Sequence, residues 1–467
     1  MKLFLPLPVK RSEKNKIIAW KADPSHEKGV KMKRLVAIVL LTIALLFVLA
    51  GIGAVIFFTA NDGFPTNNPF DRRNISSELE ENRTIKVGTE KPLTLKVADD
   101  AGDVTITGSD VETVQVKVIK TAYDSSQSRA DEEVKGIKYT IEQTDRTITI
   151  KYELPKSMNF NNNINTVDFI ITVPIETEVD VTNDFGVVSL ADIKGNAVIV
   201  NDFGEVTVDN VEGALSISNN SGEVIASSIK AGSEDIELNS DFGSITLRNA
   251  SGNNVTLDSN SGKITLREVR ATGDINAITD FGDTSFENGS GNSLNIETNS
   301  GSVSLVKVTI DNEIKVQDDF GELELDQALA SSYDLDTKSG SITVDGAEGK
   351  LKAHTDFGGI RITNAQSVTL DIKTNSGTVE FSGSLGAGPH LVSSDFGEID
   401  LTLPADSKLN VDLSTDFGSI KSDLPITVTL NGSSNSNGDQ IVGSVNGGGD
   451  QFTAQTNSGS VTIHTNE

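Results

Sequence analysis

The stretch NSDFGSITLRNASGNNVTLDSNSGKITL, residues 239–266, holds one complete repeat of this chain and the opening of the next. In it Ile245 and Leu247 alternate with polar residues, and a turn follows at Ser251-Gly252-Asn253. Val255 and Leu257 then alternate again before Asn260-Ser261-Gly262 restarts the pattern. Alternation with period two marks a half-buried strand rather than a helix. Each repeat therefore reads as strand, turn, strand, turn.

Outward from that stretch, the same signal recurs along most of the chain. Asp-Phe-Gly stands at Asp184-Phe185-Gly186, Asp202-Phe203-Gly204, Asp241-Phe242-Gly243, Asp280-Phe281-Gly282, Asp319-Phe320-Gly321, Asp356-Phe357-Gly358, Asp395-Phe396-Gly397 and Asp416-Phe417-Gly418. Asn-Ser-Gly begins at Asn220, Asn260, Asn299, Asn375 and Asn457, and Lys338-Ser339-Gly340 is a variant. Successive copies start 18 to 21 residues apart, except for one interval of 41 after Asp416 that contains a degraded Ser436-Asn437-Gly438. That interval reads as a decayed coil or an inserted loop. Counting Asp or Asn as position one, position five is apolar in every copy but that of Thr284, and position seven in every copy but that of Ser422.

A two-strand unit of this length cannot bury its apolar face alone, whereas stacked copies form one continuous core. The expected fold is all-β: a parallel β-solenoid, or β-helix, of about 20-residue coils, with about fourteen or fifteen of them over residues 181–467. A propeller is the architectural rival, because most Asp-Phe-Gly copies stand about 39 residues apart, close to the length of one blade.

The triplet suits a sharp corner. Parity from the upstream strand (Ile236, Leu238, Ser240) places Phe242 inside, parity from Ile245 and Leu247 places it outside, and glycine, which alone enters positive φ freely, is expected to absorb the slip. Alternating Phe with Ser then reads as a packing solution that gives each ring the space of two layers, with an exposed ring ladder for ligand contact as the alternative.

Composition narrows the function. There are 41 glycines and no cysteines in 467 residues, which excludes a disulfide framework, a thiolate metal site and a lipid-modified cysteine anchor. Met1–Arg34 has ten Lys or Arg against Glu13, Asp23 and Glu27, hence +7; with formal charge −28 overall, the remainder carries −28 − 7 = −35. So acidic an outer part disfavours nucleic acid and anionic lipid as its partners. Leu35–Phe58 is uncharged for 24 residues, long enough to cross a bilayer as one helix, and Lys28, Lys31, Lys33 and Arg34 before it hold the N-terminus in the cytoplasm. A retained anchor is preferred to a cleaved signal peptide, since no convincing cleavage site follows the run. The expected organisation is a basic cytoplasmic segment at 1–34, a transmembrane helix at 35–58, a tether at 59–83, an N-terminal β region at 84–180 and the solenoid at 181–467.

Within 84–180, Gly102-Asp103-Val104-Thr105-Ile106-Thr107-Gly108 precedes the alternating Val114-Gln115-Val116-Lys117-Val118 and a polar stretch from Asp124 to Glu133. Strands at Ile148–Tyr152 and Val167–Val173 lead through Pro174-Ile175-Glu176-Thr177 into the first Asp-Phe-Gly. This order resembles the bacterial DUF4097 family of β-strand-repeat, adhesin-like proteins. The resemblance covers about residues 85–467. It implies a surface- or membrane-associated β-solenoid with no family catalytic residues to carry over.

No catalytic, cofactor or metal residues are assigned. Asp-Phe-Gly also occurs in protein kinases, but neither their catalytic loop nor their lysine-bearing strand is here. A calcium-binding array would need Gly-Gly-x-Gly-x-Asp in tandem, and Gly447-Gly448-Gly449-Asp450 matches that pattern only faintly. His26, His354, His390 and His464 are scattered, and the single tryptophan, Trp20, is on the cytoplasmic side, so a polysaccharide-active β-helix enzyme is the weakest reading. The leading one is a membrane-anchored extracytoplasmic binding or structural module at the bacterial cell surface, contacting cell-wall polymer or an envelope protein. The alternative is an envelope-stress sensor or scaffold signalling through residues 1–34. No oligomeric state is set.

Overall fold

The computed structural model describes residues 75–88, 92–155, 164–428 and 439–466. The basic segment, the apolar run 35–58 and the tether as far as residue 74 lie outside them, as do Ser436, Asn437 and Gly438. Among the described residues no helix is long and apolar enough to cross a membrane.

The chain winds into an all-β parallel solenoid. One coil runs along Ile236–Phe242, turns at Gly243 and returns along Ile245–Gly252; the next repeats this along Val255–Ser261 and Ile264–Ala271. Stacking is in register: Ile236 pairs with Val255 and Leu238 with Leu257, while Ile245 pairs with Ile264 and Leu247 with Leu266. All eight side chains are buried. Removing such a side chain from water stabilises by roughly 1.5–3 kcal/mol, and the alternation that is half-buried in an isolated coil becomes a continuous apolar column when coils stack. From Thr177–Phe185 to Ile399–Pro404 twelve layers follow one another in chain order, from the corner of Phe185 to that of Phe396, so that about 11 turns separate the first from the last. The corners of Ser458 and Phe417 bring the stack over residues 181–467 to fourteen layers, but these two lie out of chain order.

Most return strands have a bend that alternation alone does not reveal. In Ile264–Ala271, Ile264 and Leu266 point inward, Arg267 and Glu268 both face solvent, and Val269 points inward again. Glu268 makes the bend with φ of 57°, as do Asp192 (60°), Asn210 (52°), Asn249 (48°), Lys307 (54°) and Asn364 (53°) in their own coils. Asn and Asp tolerate this left-handed conformation best, and the bends stack, with Asn210 Nδ2 donating to Asp192 Oδ1 at 2.7 Å. The coil thus has a second corner within its return strand.

Both ends are threaded. At the N-terminal end the parallel pairing extends upstream of residue 181 to Leu93: Leu93–Asp99 lies between Thr177–Phe185 and Thr147–Tyr152, and Val104–Ser109 lies between Val188–Lys194 and Thr166–Pro174. At the C-terminal end Asp450–Ser458 inserts between His390–Phe396 and Leu409–Phe417, and Val461–Asn466 inserts between Ile399–Pro404 and Ile420–Ser422. At each end, therefore, the second layer comes from a segment out of chain order. Antiparallel strands finish the stack: Tyr139–Thr144 on Thr147–Tyr152, Thr113–Asp124 on Thr166–Pro174, Ile75–Lys86 on Thr113–Asp124, and Asp439–Val445 on Leu409–Phe417. The short helix Gln127–Gly136 buries Ala130 and Val134 at the N-terminal end. Of the interval of 41 residues, the described strands Ile426–Val428 and Asp439–Val445 pair antiparallel instead of forming a coil. These capping strands cover an edge which would otherwise template pairing with another chain.

The corner glycines set the spacing of the stack. A Cβ on Gly358 would lie 2.0 Å from the carbonyl oxygen of Gly340, although the φ of Gly358 lies outside the left-handed range; Gly136 has open space around it. Gly358→Ala is expected to lower stability by about 2–4 kcal/mol, and Gly136→Ala to be neutral or slightly stabilising. Urea denaturation of the two variants checks this. Equal midpoints would show that the corner is not sterically closed.

Candidate functional site

The Asp-Phe-Gly and Asn-Ser-Gly triplets stack along one edge. Phe185 pairs with Phe203, Phe203 with Ser221 and Ser221 with Phe242. Farther along, Ser261, Phe281, Ser300, Phe320, Ser339, Phe357, Ser376 and Phe396 succeed one another layer by layer. Ser458 of the inserted coil then separates Phe396 from Phe417.

These rings are not packed inside. Exposure runs from 45% at Phe185 to 77% at Phe417, whereas Phe286, Phe381 and Phe452, which lie outside the motif, are buried. Of the two parities that the flanking strands imply for the ring, the outward one holds, and the reason is steric. At almost every corner the glycine of one layer lies against the glycine carbonyl of the next: a Cβ on Gly204 would fall 1.9 Å from Gly186 O, and one on Gly301 2.0 Å from Gly282 O. No volume remains inside the corner for a ring. Positive φ is not the general cause either. It occurs at Gly186, Gly204, Gly222 and Gly459, while the other corner glycines are required by this close approach alone.

The inner corner position belongs instead to the residue before the triplet. Ser240, Ser259, Thr279, Thr337, Thr355, Thr374 and Ser394 are buried there, and each donates its hydroxyl to a corner glycine carbonyl, as Thr279 does to Gly262 O at 3.1 Å and Thr355 to Gly340 O at 3.0 Å. In the first coils Asn183, Asn201 and Asn219 take the position, and Asn201 and Asn219 donate to Gly204 O at 3.0 Å each. Two carboxyls interrupt this ladder. Asp99 accepts from Ala101 N–H at 3.2 Å and Asp318 from Phe320 N–H at 3.1 Å, and the Oδ2 of each has no partner. Burial pushes Asp99 up to about 8 and Asp318 up to about 6. In its protonated form Asp318 regains an O–H where its neighbours carry hydroxyls.

The outer Asp and Asn also alternate for a reason. Asn260 donates to Asp241 at 3.1 Å, Asn299 to Asp280 at 2.7 Å, Asn375 to Asp356 at 2.6 Å and Asn457 to Asp395 at 3.3 Å. Lys338, which replaces Asn in its copy, pairs with Asp319. Where two Asp-Phe-Gly copies adjoin, the Phe185 and Phe203 rings stack at 5.1 Å and 6°. There burial, followed by the charges of Asp100 and Asp202, raises Asp184.

Beside the ladder lies an open groove of about 330 Å3, whose lining includes Asp280, Glu297, Asp319 and Asp336 with Lys338 as its one basic residue. His354 contacts Asp336 at 2.9 Å and Asp356 at 3.8 Å, and His464 lies 3.2 Å from both Asp400 and Asp423. His390 is buried near Phe452, accepts from Leu370 N–H at 3.3 Å, and is lowered by burial. The structure brings these histidines to no common site. Among the described residues no group of three or more His, Asp or Glu is placed to hold a metal ion.

The profile described as Toastrack DUF4097 matches residues 93–357 and 321–464, which together span well over half of the chain. No curated protein matches significantly. Among solved structures, a "putative cell adhesion protein" from Clostridium sporogenes aligns at 11% identity and a TM-score of 0.18, covering 84% of this chain and 100% of its own. A "putative adhesin" from Bacteroides fragilis aligns at 12% identity and a TM-score of 0.20, covering 84% of this chain and 98% of its own. At such values neither likeness bears on what this chain does.

The buried carboxyl of Asp318 yields a test of the inner ladder. Its proton is held to about pH 6 against an ordinary value of 3.8, so its contribution to stability is complete below the ordinary value and is lost as pH rises through about 6. Asp318→Thr, which restores the ladder hydroxyl, is expected to be more stable than the parent at pH 8 by about 2 kcal/mol and to lose most of that advantage at pH 4.5. Denaturation at the two pH values checks this; a gain independent of pH would show that the carboxyl is not desolvated.

Proposed function

The chain belongs to the Toastrack DUF4097 family, and on that premise we propose that it is a non-enzymatic binding module held at the bacterial cell surface by the apolar run Leu35–Phe58, with the phenylalanine ladder as its contact strip. The ladder carries this reading. Every large aromatic exposed among the described residues stands in this one column, and an aligned apolar strip, unlike scattered apolar residues, marks an interaction surface. The partner is a cell-wall polymer or an envelope protein, and the charge of the outer part keeps nucleic acid away from it.

Two outcomes are expected. In fractionated cells the full chain sediments with membrane, and a variant lacking residues 35–58 is released; release of neither or of both forms contradicts the anchor. Added to cell envelopes, the full chain is retained, and a variant with Phe281, Phe320 and Phe357 replaced by Ser is retained about tenfold less at an unchanged melting temperature. Equal retention of the two removes the ladder from the function.

A further inference from the structure

Resting on the reading of the ladder as a contact strip, we propose that its ligand is a basic polypeptide segment in the polyproline II conformation, with Lys or Arg at every third residue. The periodicity supports this. Phe242, Phe281, Phe320, Phe357, Phe396 and Phe417 recur at every second layer, and layers about 4.8 Å apart set the rings about 9.6 Å apart. A polyproline II helix returns to the same face every three residues at about 3.1 Å each, or about 9.3 Å. The mismatch accumulates to only about 1.5 Å over the five steps between the six rings. An extended β-strand returns to one face every roughly 6.6–6.8 Å and falls out of step at the first ring.

The chemistry beside the rings selects charge. Each ring follows an Asp in the chain, and the adjoining groove presents Asp280, Glu297, Asp319 and Asp336 against the single Lys338. An aromatic face next to a carboxylate attracts a Lys or Arg head group through the ring and the charge together. The Ser layers between rings leave slots in which proline rings can lie, as in other aromatic-lined grooves that read polyproline segments. A second copy of this chain is a poor occupant, since it would bring two Asp columns together. A neutral glycan would use the rings but draw nothing from the negative charge of the carboxylates beside them.

Fluorescence anisotropy with the purified full chain tests this, using a labelled peptide of six Lys-Pro-Pro repeats. The controls are a peptide of the same composition with its lysines in one block, a Glu-Pro-Pro peptide, and cellohexaose as competitor. The spaced basic peptide is expected to bind, to weaken with added salt, and to bind about tenfold more tightly than the blocked one. Replacing Phe281, Phe320 and Phe357 by Ser should weaken it about tenfold at an unchanged melting temperature. Equal binding of the spaced and blocked peptides, indifference to the Phe replacements, or displacement by cellohexaose overturns the inference. So does absence of peptide binding; if envelope retention still depends on the rings, the contact-strip reading then survives without it.

Discussion

At the corner, the α-carbon of one glycine lies against the carbonyl oxygen of the glycine in the next layer, and no other side chain can be inserted there. Much of the edge follows from that contact. The ring of Asp-Phe-Gly has to leave the interior. The residue before the triplet then holds the inner position, facing carbonyls that would otherwise be buried without added donors. Polar groups in such a place need partners, which is why Ser, Thr and Asn supply the ladder and donate to those oxygens. One steric constraint therefore exposes the phenyl ring and recruits the buried hydroxyl.

A second constraint acts along the stack. Carboxylates repeated at every layer would repel one another, and rings repeated at every layer would touch. Asn between Asp and Ser between Phe relieve both with the same period of two layers. Chain order breaks that period twice. At Asp184 and Asp202 the break is real, and the rings stack while the carboxyl of Asp184 is raised. At Asp395 and Asp416 the fold repairs it, because the coil bearing Ser458 inserts between the two. The threading at the C-terminal end thus preserves the alternation that the rest of the column obeys.

The period, the strand alternation and the parallel stack were legible in residues such as Ile245, Leu247, Ile264 and Leu266, because a repeated contact leaves a repeated residue. The inner ladder was legible in principle, since Ser240, Thr279 and Thr355 share one position in their repeats, but small polar residues before a turn look like solvent-facing ones. The bends at Glu268 and Lys307 were hidden because neither is a residue type that advertises a left-handed backbone. The direction of the rings was ambiguous because the strands on either side of the corner imply opposite parities. Threading was least legible: alternation records which side of a strand is buried and says nothing about which strand lies beside it. Only the adjacency of two Asp-Phe-Gly copies, followed by a distant Asn-Ser-Gly, carried a trace of it.

The alternate layers also separate what the fold requires from what it merely permits. Ser221, Ser261, Ser300, Ser339 and Ser376 occupy the ring position in coils that stack in the same register as their neighbours. A corner therefore closes without a ring, and an exposed phenyl group contributes little burial to the fold while adding apolar surface to water. Spacing the rings and setting Asp beside each limits their tendency to associate with one another, and antiparallel strands close the ends of the stack. Packing thus accounts for where the rings point but not for why phenylalanine, rather than serine, stands at eight of these corners; that choice is the one the proposed contact strip addresses.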